Sequence, residues 1–345
     1  SPKRIEPRIR GGAVEAMRFR RRGEGSGDNG GPLRFREPMP LPLADWLVRI
    51  QQQHPQAIAM GLERVRTVAQ ALGLAPKPAP CVITVGGTNG KGSTVAFLEA
   101  IARAAGLRVG TYTSPHLWRF NERIRIDGVE ASDDAIVAAF ERIDAARGDT
   151  PITYFEYATL AAFDLFERAG LDLAILEVGL GGRLDATNLV DADVAVITTV
   201  DLDHMDYLGP DRESIGAEKA GILRAGKIAV FGEKDPPSSV LRRAYALGTI
   251  AIRGHSDYLV DRFEDHWVWR EPGFQLALPY PSLAAPVQVD NAAAAVAALR
   301  ASPLAIPDAA FARGVAEARV PGRLQRIGTS PEVVVDVAHN PQGAR

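Results

Sequence analysis

Residues 82–94, VITVGGTNGKGST, join a run of β-branched residues to a glycine-rich turn. The run predicts a buried parallel strand, and the alanine-rich periodic segment that follows, residues 95–105, predicts a helix. Glycines let successive backbone N–H groups turn inward, the helix N-terminus adds partial positive charge, and Lys91 adds a full charge. Strand, glycine loop, lysine, hydroxyl and helix are the layout of a phosphate-binding loop, so the sequence predicts a polyphosphate site here.

The composition of the 345-residue chain is that of a soluble globular protein with room for more than one domain. Hydrophobic residues make up 46%, charged residues 24%, and the formal net charge is −2. So small a charge gives no overall attraction to nucleic acid or to a membrane, and no apolar run reaches the roughly 18 residues of a membrane span. The single cysteine, Cys81, starts the predicted strand, which favours core packing in a cytoplasmic protein.

Residues 1–36 differ in composition from the rest of the chain. They contain ten Lys or Arg against four Asp or Glu, and their glycines cluster at 23–31. Because few apolar residues are available for burial, we interpret this segment as a disordered basic arm. A nucleic-acid or targeting role for the cluster at 18–22 is the alternative, although no apolar core follows it to make a secretory signal.

A second buried strand, within residues 171–178, runs directly into Glu177. A carboxylate there costs free energy unless a positive charge meets it, and a cation held near phosphates would do so. Another strand, at 194–200, ends in the turn DLDHMD, residues 201–206. General chemistry favours the carboxylates of Asp203 and Asp206 in this turn as magnesium ligands.

These strands and the helices between them predict an α/β fold, with a mostly parallel sheet of the P-loop NTPase kind flanked by helices. Alternation with aromatic residues over 250–278 predicts a small antiparallel sheet in addition. We expect an ATP-binding domain over residues 37–320. Residues 321–345 are expected to be a linker and the first strand of a truncated C-terminal α/β domain.

The strings GTNGKGS at 87–93 and EVGLGGRLDA at 177–186 resemble the Mur ligase superfamily. Within it, they resemble the folylpolyglutamate and dihydrofolate synthases, most closely the bifunctional type, and the likeness runs from about residue 41 to the end. The resemblance implies an ATP-dependent amide ligase of folate biosynthesis, which adds L-glutamate to dihydropteroate and to folate glutamyl tails through an acyl phosphate. It also implies ATP as co-substrate, two Mg²⁺ ions and a cytoplasmic monomer without nucleic-acid or membrane partners.

The resemblance further implies that Ser114 of the TSPH loop, Glu177, His204 and Lys219 hold magnesium, the last as an N-carboxylated lysine. It makes Lys91, His204 and Lys219 the catalytic residues. An ordinary surface lysine is the alternative for Lys219, and the carboxylates of Asp203 and Asp206 stay open as alternatives to His204. His116, in the same loop as Ser114, has no assigned role.

Two sets of substrate-binding residues follow from the same resemblance. ATP would be bound by Thr88, Asn89, Gly90, Lys91, Gly92, Ser93, Asn291, Arg323 and Asp336. The pterin acceptor would be bound by Gly61, Leu62, Glu63, Arg64, Thr153, Tyr154, Phe155, Glu156, Arg183 and Asp185. Some of these residues also suit purely structural roles, since Thr153 and Glu156 fit a capping box and Asn291 fits a helix N-cap.

Two other functions stay open. One is another amide ligase of the superfamily, acting on a cell-wall precursor, and the strings at 61–65 and 153–156 argue against it. The other is a non-catalytic ATP-binding protein. The C-terminal domain of the resembled family would need about 80–110 further residues, so we expect weak or no ligase activity from these 345 residues by themselves.

Overall fold

The computed structural model describes residues 41–54, 58–283, 285–329, 332–338, 340 and 342–343. The chain divides into two units, Ser1–Met39 and Pro40–Arg345, and everything below concerns the second. The basic arm predicted at 1–36 and His339 of the DVAHNP string lie outside the described residues. The domain boundaries expected at 36 and 320 stay predictions.

Helices and strands alternate along the described chain. The helices are α1 (Leu43–Gln53), α2 (Glu63–Leu72), α3 (Lys91–Ala104), α4 (Asp133–Arg147), α5 (Tyr154–Ala169), α6 (Met205–Leu208), α7 (Arg212–Lys219), α8 (Ser238–Leu247), α9 (Gln288–Ala301) and α10 (Asp308–Glu317). The strands are β1 (Cys81–Gly86), β2 (Val109–Tyr112), β3 (Ile124–Ile126), β4 (Val129–Glu130), β5 (Leu173–Glu177), β6 (Val194–Ile197), β7 (Ile228–Phe231), β8 (Ile250–Arg253), β9 (Leu259–Arg262), β10 (His266–Glu271), β11 (Phe274–Pro279), β12 (Gln325–Thr329) and β13 (Glu332–Val335). Short 3₁₀ turns are formed by Phe120–Arg123, Ala186–Leu189 and Ala220–Ile222.

The large sheet has the strand order β4-β3-β2-β5-β1-β6-β7-β8. From β2 to β8 every neighbouring pair is parallel, while β3 and β4 add an antiparallel edge. In β1, Val85 lies opposite Glu177 of β5 on one side and Val196 of β6 on the other. The carboxyl ends of these three strands therefore meet at one edge, where open parallel sheets bind ligands. The predicted mostly parallel α/β sheet is confirmed.

Helices cover both faces of this sheet, and β1, β5 and β6 are buried at every position. On one face α3 packs against α9 and α10, and the small sheet β11-β10-β9 joins their core through the buried rings of Trp267 and Trp269. On the other face α1, α2, α4 and α5 enclose an aromatic core. Strands covered on both faces are continuous apolar runs, which is why β1 and β5 were recognisable in the sequence. Among the described residues, no helix is long and apolar enough to cross a membrane.

Two local predictions need correction. The segment 250–278 is not one antiparallel sheet, because β8 pairs in parallel with β7 and extends the large sheet, while only β9, β10 and β11 form the antiparallel one. Alternation marks a half-buried strand but does not reveal the direction of its partner. Asn291 is not an N-cap, because α9 already begins at Gln288, and the Asn291 side-chain amide donates to the Gln288 side chain at 3.0 Å.

Asp193 ties together the starts of β1 and β6. Its carboxylate accepts hydrogen bonds from Lys77 Nζ at 2.6 and 2.7 Å, from Lys227 Nζ at 3.0 Å and from the Val82 backbone N–H at 3.0 Å. Partial burial by itself would raise the pKa of this carboxyl, but the hydrogen bonds from the two lysines and the amide lower it below its usual value. The folded chain therefore favours the charged carboxylate more than the unfolded chain does.

We expect Asp193→Asn to lower the free energy of unfolding by about 1–3 kcal/mol at pH 7, because hydrogen bonds to a charged, largely buried group are lost. Since the folded pKa lies below the unfolded one, the wild-type advantage is full above roughly pH 4 and disappears as the pH falls through the folded pKa. Urea denaturation across this range measures it, with exposed Asp149→Asn as the control. A difference that stays constant down to acid pH would contradict this account of Asp193.

Candidate functional site

The glycine loop between β1 and α3 is held against the end of β6. Gly87 has a φ of 147°, and a Cβ built on it would lie 1.9 Å from the Thr198 hydroxyl oxygen, so only glycine fits there. Thr198 Oγ1 also donates to the Asn89 carbonyl at 2.6 Å. Gly90, with a φ of 86°, directly precedes α3 and packs against the Asn291 side chain. The loop is thus fixed by its neighbours, with a helix N-terminus directly behind it.

Lys91 and Glu177 face one cavity from neighbouring elements. Lys91 Nζ donates to the carbonyls of Gly87 and Thr88, each at 3.1 Å. Glu177 is 5% exposed, and its Oε2 accepts the backbone N–H of Ser114 at 3.1 Å. Burial raises the pKa of Glu177 and lowers the pKa of Lys91, and the charge of each opposes the shift of the other.

Both charges therefore remain costly in the protein by itself, since burial still outweighs their mutual attraction. An anion beside Lys91 and a cation beside Glu177 would remove both costs together. A polyphosphate with a bound divalent cation presents that pair of charges. The position of Glu177 next to the loop agrees with this, because a Cβ built on Gly92 would lie 3.7 Å from Glu177 Oε1.

The turn after β6 is bonded to the glycine loop and lines the same cavity. The Thr88 hydroxyl donates to the Asp201 carbonyl at 3.1 Å and accepts the Asp201 backbone N–H at 3.0 Å. Further along the turn, Asp203 and His204 line the cavity. His204 has a left-handed backbone with a φ of 48°, and its side chain is 51% exposed, so its imidazole is accessible to solvent and to a ligand.

Lys219, the last residue of α7, also lines this cavity although it is only 4% exposed. Burial, reinforced by the nearby charge of Lys91, lowers the pKa of its ammonium group to about 7. A lysine with so low a pKa is substantially neutral near physiological pH, where its amine can act as a nucleophile. Lys219 is therefore not the ordinary surface lysine that the sequence left open.

The cavity that joins these groups has a volume of about 520 Å³. The sequence-predicted residues that line it are Gly61, Thr88, Asn89, Gly90, Lys91, Gly92, Ser114, Thr153, Phe155, Glu156, Glu177, Asp185, His204, Lys219 and Arg323. The structure thus brings the predicted phosphate and metal residues together with the central part of the predicted acceptor set. The apolar residues Ile58, Met60 and Leu208 line the same cavity.

Thr153 and Glu156 form the predicted capping box at the start of α5. Thr153 Oγ1 accepts the Glu156 backbone N–H at 3.2 Å, and Glu156 Oε2 accepts the Thr153 backbone N–H at 2.7 Å. The other Glu156 oxygen accepts Arg64 Nη2 at 3.1 Å. Since Thr153 and Glu156 also line the cavity, the helix cap and the cavity wall are built from the same side chains.

Both oxygens of the Asp185 carboxylate accept hydrogen bonds from nearby groups of the protein. Its Oδ2 accepts the backbone N–H groups of Gly179 and Leu180 at 3.0 and 2.9 Å. Its Oδ1 accepts the backbone N–H and the hydroxyl of Thr187 at 3.0 and 2.6 Å. Burial raises the pKa of Asp185, and these four donors oppose that shift. Asp185 therefore holds the glycine-rich turn after β5 in place while it lines the cavity.

Some predicted binding residues do not line this cavity: Leu62, Glu63, Arg64, Ser93, Tyr154, Arg183, Asn291 and Asp336. The Glu63 side chain is 89% exposed and pairs with Arg66 on the outer side of α2. The Arg183 side chain is 55% exposed and pairs with Glu218. The charges of Glu63 and Arg183 are thus paired at the surface, and their part in acceptor binding stays a prediction.

Asn291 and Asp336 lie elsewhere for different reasons. Asn291 borders a second cavity of about 210 Å³, which it shares with Thr198 and Thr199 at the back of the glycine loop. The Asp336 carboxylate accepts the backbone N–H groups of Leu324 and Ala338, at 2.8 and 2.7 Å. It therefore shapes the chain around Arg323, which does line the main cavity.

Sequence reasoning assigned no role to Arg123, which ends the 3₁₀ turn Phe120–Arg123. Arg123 is 8% exposed, lines the cavity and donates from Nε to His116 Nδ1 at 2.8 Å. Burial, together with the charge of Arg123, lowers the pKa of His116 and keeps its ring neutral as an acceptor. The sequence carried little signal for this pair, because an arginine in an alternating segment is usually solvated.

The possible metal ligands near Glu177 suit a magnesium ion that is also bound by phosphate better than one bound by protein side chains alone. Within the described part of the chain, no group of three or more His, Cys, Asp or Glu is arranged to hold a metal ion. Mg²⁺ commonly keeps several waters and combines one or two carboxylates with substrate phosphates. The buried Glu177 carboxylate, whose pKa is raised by burial, fits that second kind of site, as does Ser114, whose backbone N–H donates to Glu177.

Comparisons with known proteins agree with this geometry. Residues 85–299 match the family model of the Mur ligase middle domain. The dihydrofolate synthase/folylpolyglutamate synthase of Escherichia coli K12 is 51% identical over 304 residues, which cover 88% of this chain and 71% of that protein. A solved structure of E. coli FolC in complex with DHPP and ADP matches with a TM-score of 0.85, at 51% identity, over 88% of this chain and 72% of that chain. A bifunctional folylpolyglutamate synthase/dihydrofolate synthase with Mn, AMPPNP and L-glutamate bound matches with a TM-score of 0.82, at 50% identity, over 88% of this chain and 73% of that chain.

We expect Gly87→Ala to abolish measurable nucleotide binding and to lower the free energy of unfolding by about 3 kcal/mol, because the added methyl group overlaps Thr198 Oγ1 and the backbone φ is unfavourable for alanine. Gly226→Ala is the control, since Gly226 has a φ of 66° but nothing within 4 Å of its built Cβ. That variant should lose only about 1 kcal/mol and keep nucleotide binding. Thermal denaturation and titration with an ATP analogue make the comparison. Equal effects of the two substitutions would mean that the contact with Thr198 is unimportant.

Proposed function

The chain belongs to the dihydrofolate synthase/folylpolyglutamate synthase family, and we propose on this basis that it uses ATP to join L-glutamate to dihydropteroate and to folate glutamyl tails. One observation supports the proposal more than any other. A single cavity contains the loop lysine Lys91 and the buried acid Glu177, together with Gly61, Thr153 and Phe155 of the predicted acceptor set. A ligase needs that arrangement, because the nucleotide and the acceptor must react side by side.

The proposed reaction has two steps. An oxygen of the acceptor carboxylate attacks the γ-phosphorus of ATP, the bond to the β,γ-bridging oxygen breaks, and ADP leaves an acyl phosphate behind. The amine nitrogen of L-glutamate then attacks the acyl carbon, the bond from that carbon to the phosphate oxygen breaks, and the nitrogen loses a proton as the amide forms. Lys91 and the N–H groups of the glycine loop would neutralise the charge on the β- and γ-phosphates in the first step.

Magnesium, when bound, would spread the charge of the phosphates. We propose that Ser114, Glu177, His204 and Lys219 hold two Mg²⁺ ions, with the carboxylates of Asp203 and Asp206 as the alternatives to His204. The relative with Mn, AMPPNP and L-glutamate bound supports the use of a divalent metal. His204 is exposed enough to reach an ion in the cavity, and Glu177 needs a positive partner there.

Lys219 is proposed to act as a carbamate. The neutral Nζ attacks the carbon of CO₂, an N–C bond forms, and the nitrogen releases a proton to solvent. Burial favours this reaction because it lowers the pKa of Lys219 to about 7 and so supplies the neutral amine. Conversion to an anion also removes the repulsion from Lys91 and creates a ligand for a cation.

The rest of the nucleotide would lie against the glycine loop and against Asn291, Arg323 and Asp336. Arg323 Nε is buried without a hydrogen bond to any described residue, so an oxygen of the nucleotide would satisfy it. At the other end of the cavity, Phe155 and the segment 58–61 offer an apolar surface for the flat ring of the acceptor. Action as a cytoplasmic monomer stays a prediction.

The test is release of phosphate from ATP in the presence of Mg²⁺, L-glutamate and either dihydropteroate or folate, with the product identified by mass spectrometry. We expect release to require all three substrates, and Lys91→Ala to reduce it by at least about 100-fold while the fold is unchanged. Arg243→Ala, an exposed change on α8, is the control. Binding of ATP and of each acceptor is measured as well, so that the test does not depend on turnover alone. Binding and use of a cell-wall precursor in place of the pterins would refute the proposal.

A second test concerns Lys219. We expect activity to rise with bicarbonate in CO₂-depleted buffer and to fall as the pH drops below about 7, because protonation removes the nucleophilic amine. Lys219→Ala should lose most activity, stop responding to bicarbonate and regain part of its activity when a short carboxylic acid is added. Lys227→Ala, which keeps Lys219, should respond to bicarbonate as the wild type does and gain nothing from the added acid. If bicarbonate and the added acid have no effect on the respective proteins, Lys219 acts without carboxylation.

A further inference from the structure

Arg123 is a buried cation of the main cavity that the proposed mechanism has not used. Arg123 is 8% exposed and lines the cavity. Most other buried or half-buried arginines of the described chain pair with a carboxylate, as Arg125 does with Glu99 at 2.6 Å and Arg142 with Asp164. Arg123 makes no such ion pair with a described residue. A guanidinium in that position keeps its full charge and favours an anion beside it.

Neutral groups hold the Arg123 guanidinium in place. Its Nε donates to His116 Nδ1 at 2.8 Å, and the Tyr112 hydroxyl lies within hydrogen-bond reach of the side chain. The guanidinium carbon lies 5.8 Å from the ring centre of Phe120 and 5.5 Å from that of Tyr154. Aromatic faces and a neutral imidazole orient the cation without neutralising it. The residue is thus fixed by packing, while its charge is left for a ligand.

Two anionic groups could pair with Arg123: the nucleotide phosphates and the acceptor carboxylate. The position of Arg123 favours the carboxylate. The nucleotide phosphates are met by Lys91 and the loop amides, and Arg323 is the arginine whose charge acts on Lys91. Arg123 lies against Tyr154 at the start of α5, between the acceptor-side residues Thr153 and Phe155. Its charge, like that of Arg323, acts on Glu177. The acceptor must place its reacting carboxylate between those two regions to reach the γ-phosphate.

We propose that Arg123 binds the carboxylate of the pterin acceptor that is to be phosphorylated, and that His116 orients Arg123 for this contact. The assignment rests on the proposed function. The planar guanidinium would hold both carboxylate oxygens and fix their direction, which a lysine at the same place would do less well. It also gives His116 the role that the sequence left open.

The experiment compares two ligands that differ in this carboxylate. Dihydropteroate has it, whereas the primary amide of dihydropteroate is a neutral pterin with the same ring systems and no carboxylate. We expect Arg123→Gln to weaken binding of dihydropteroate by about 10- to 100-fold and binding of the neutral pterin by less than about threefold. Arg123→Lys should lie in between. Calorimetric titration of the wild type, both variants and the control Arg119→Gln, whose side chain is 65% exposed, measures these affinities.

Each outcome separates one role of Arg123 from another. Equal losses for both ligands would overturn the assignment and make Arg123 a structural residue, and unchanged binding of the neutral pterin shows that the variant is folded at the site. A loss confined to ATP would overturn it in favour of a phosphate contact. If the wild type binds the neutral pterin and dihydropteroate equally well, the carboxylate has no partner and the assignment fails, while the proposed function stands. If the wild type binds neither pterin, the proposed function itself fails, and this assignment with it.

Discussion

The structure depends on the burial of two opposite charges at the meeting point of β1 and β5. Glu177 ends β5 with 5% of its surface exposed, and Lys91 begins α3 on the other side of the glycine loop. The charged form of each group is disfavoured there, because burial lowers the pKa of Lys91 and raises the pKa of Glu177. The central sheet, the helix behind the loop and the turn after β6 all keep these charges in place. The binding of a metal-bound polyphosphate would recover the free energy that this burial costs.

Around that pair, several polar side chains of the site also stabilise the local backbone through hydrogen bonds. Thr153 and Glu156 close the first turn of α5 and line the cavity, and Thr88 bonds the turn after β6 while it belongs to the glycine loop. Arg123 is held by His116 and two aromatic rings rather than by a carboxylate. A site assembled in this way is rigid before any ligand arrives, so less order has to be imposed when three substrates are gathered.

Sequence reasoning predicted the features that are determined by residues close together in the chain. The strand, the glycine loop and the helix were recognisable because burial on both faces, tight turns and helical periodicity leave patterns within a few residues. The capping box at Thr153 was recognisable for the same reason, and the structure contains it. Glu177 stood out because a carboxylate at the end of an apolar run needs a positive charge from elsewhere in the chain or from a ligand, and Lys91 offsets only part of the cost of its burial.

What the sequence did not reveal depends on contacts between distant segments. Arg123 enters the cavity only because the chain turns after β2, and the same alternating residues would have suited a solvated edge. The direction of β8 is set by its neighbour β7, and the start of α9 lies one turn before the residue that looked like its cap. Glu63 and Arg183 belong to strings that resemble the family, yet their side chains point to partners outside the cavity.

The saturated carboxylate of Asp185 has a consequence for how mutational scans of this protein are interpreted. Four donors from Gly179, Leu180 and Thr187 fill its two oxygens, so an asparagine there would set an NH₂ group against N–H or O–H donors. The glycine turn behind the acceptor would then be forced apart, whatever ligand it serves. An inactive variant at this position therefore reports the loss of this support for the turn as well as the loss of any contact with the acceptor.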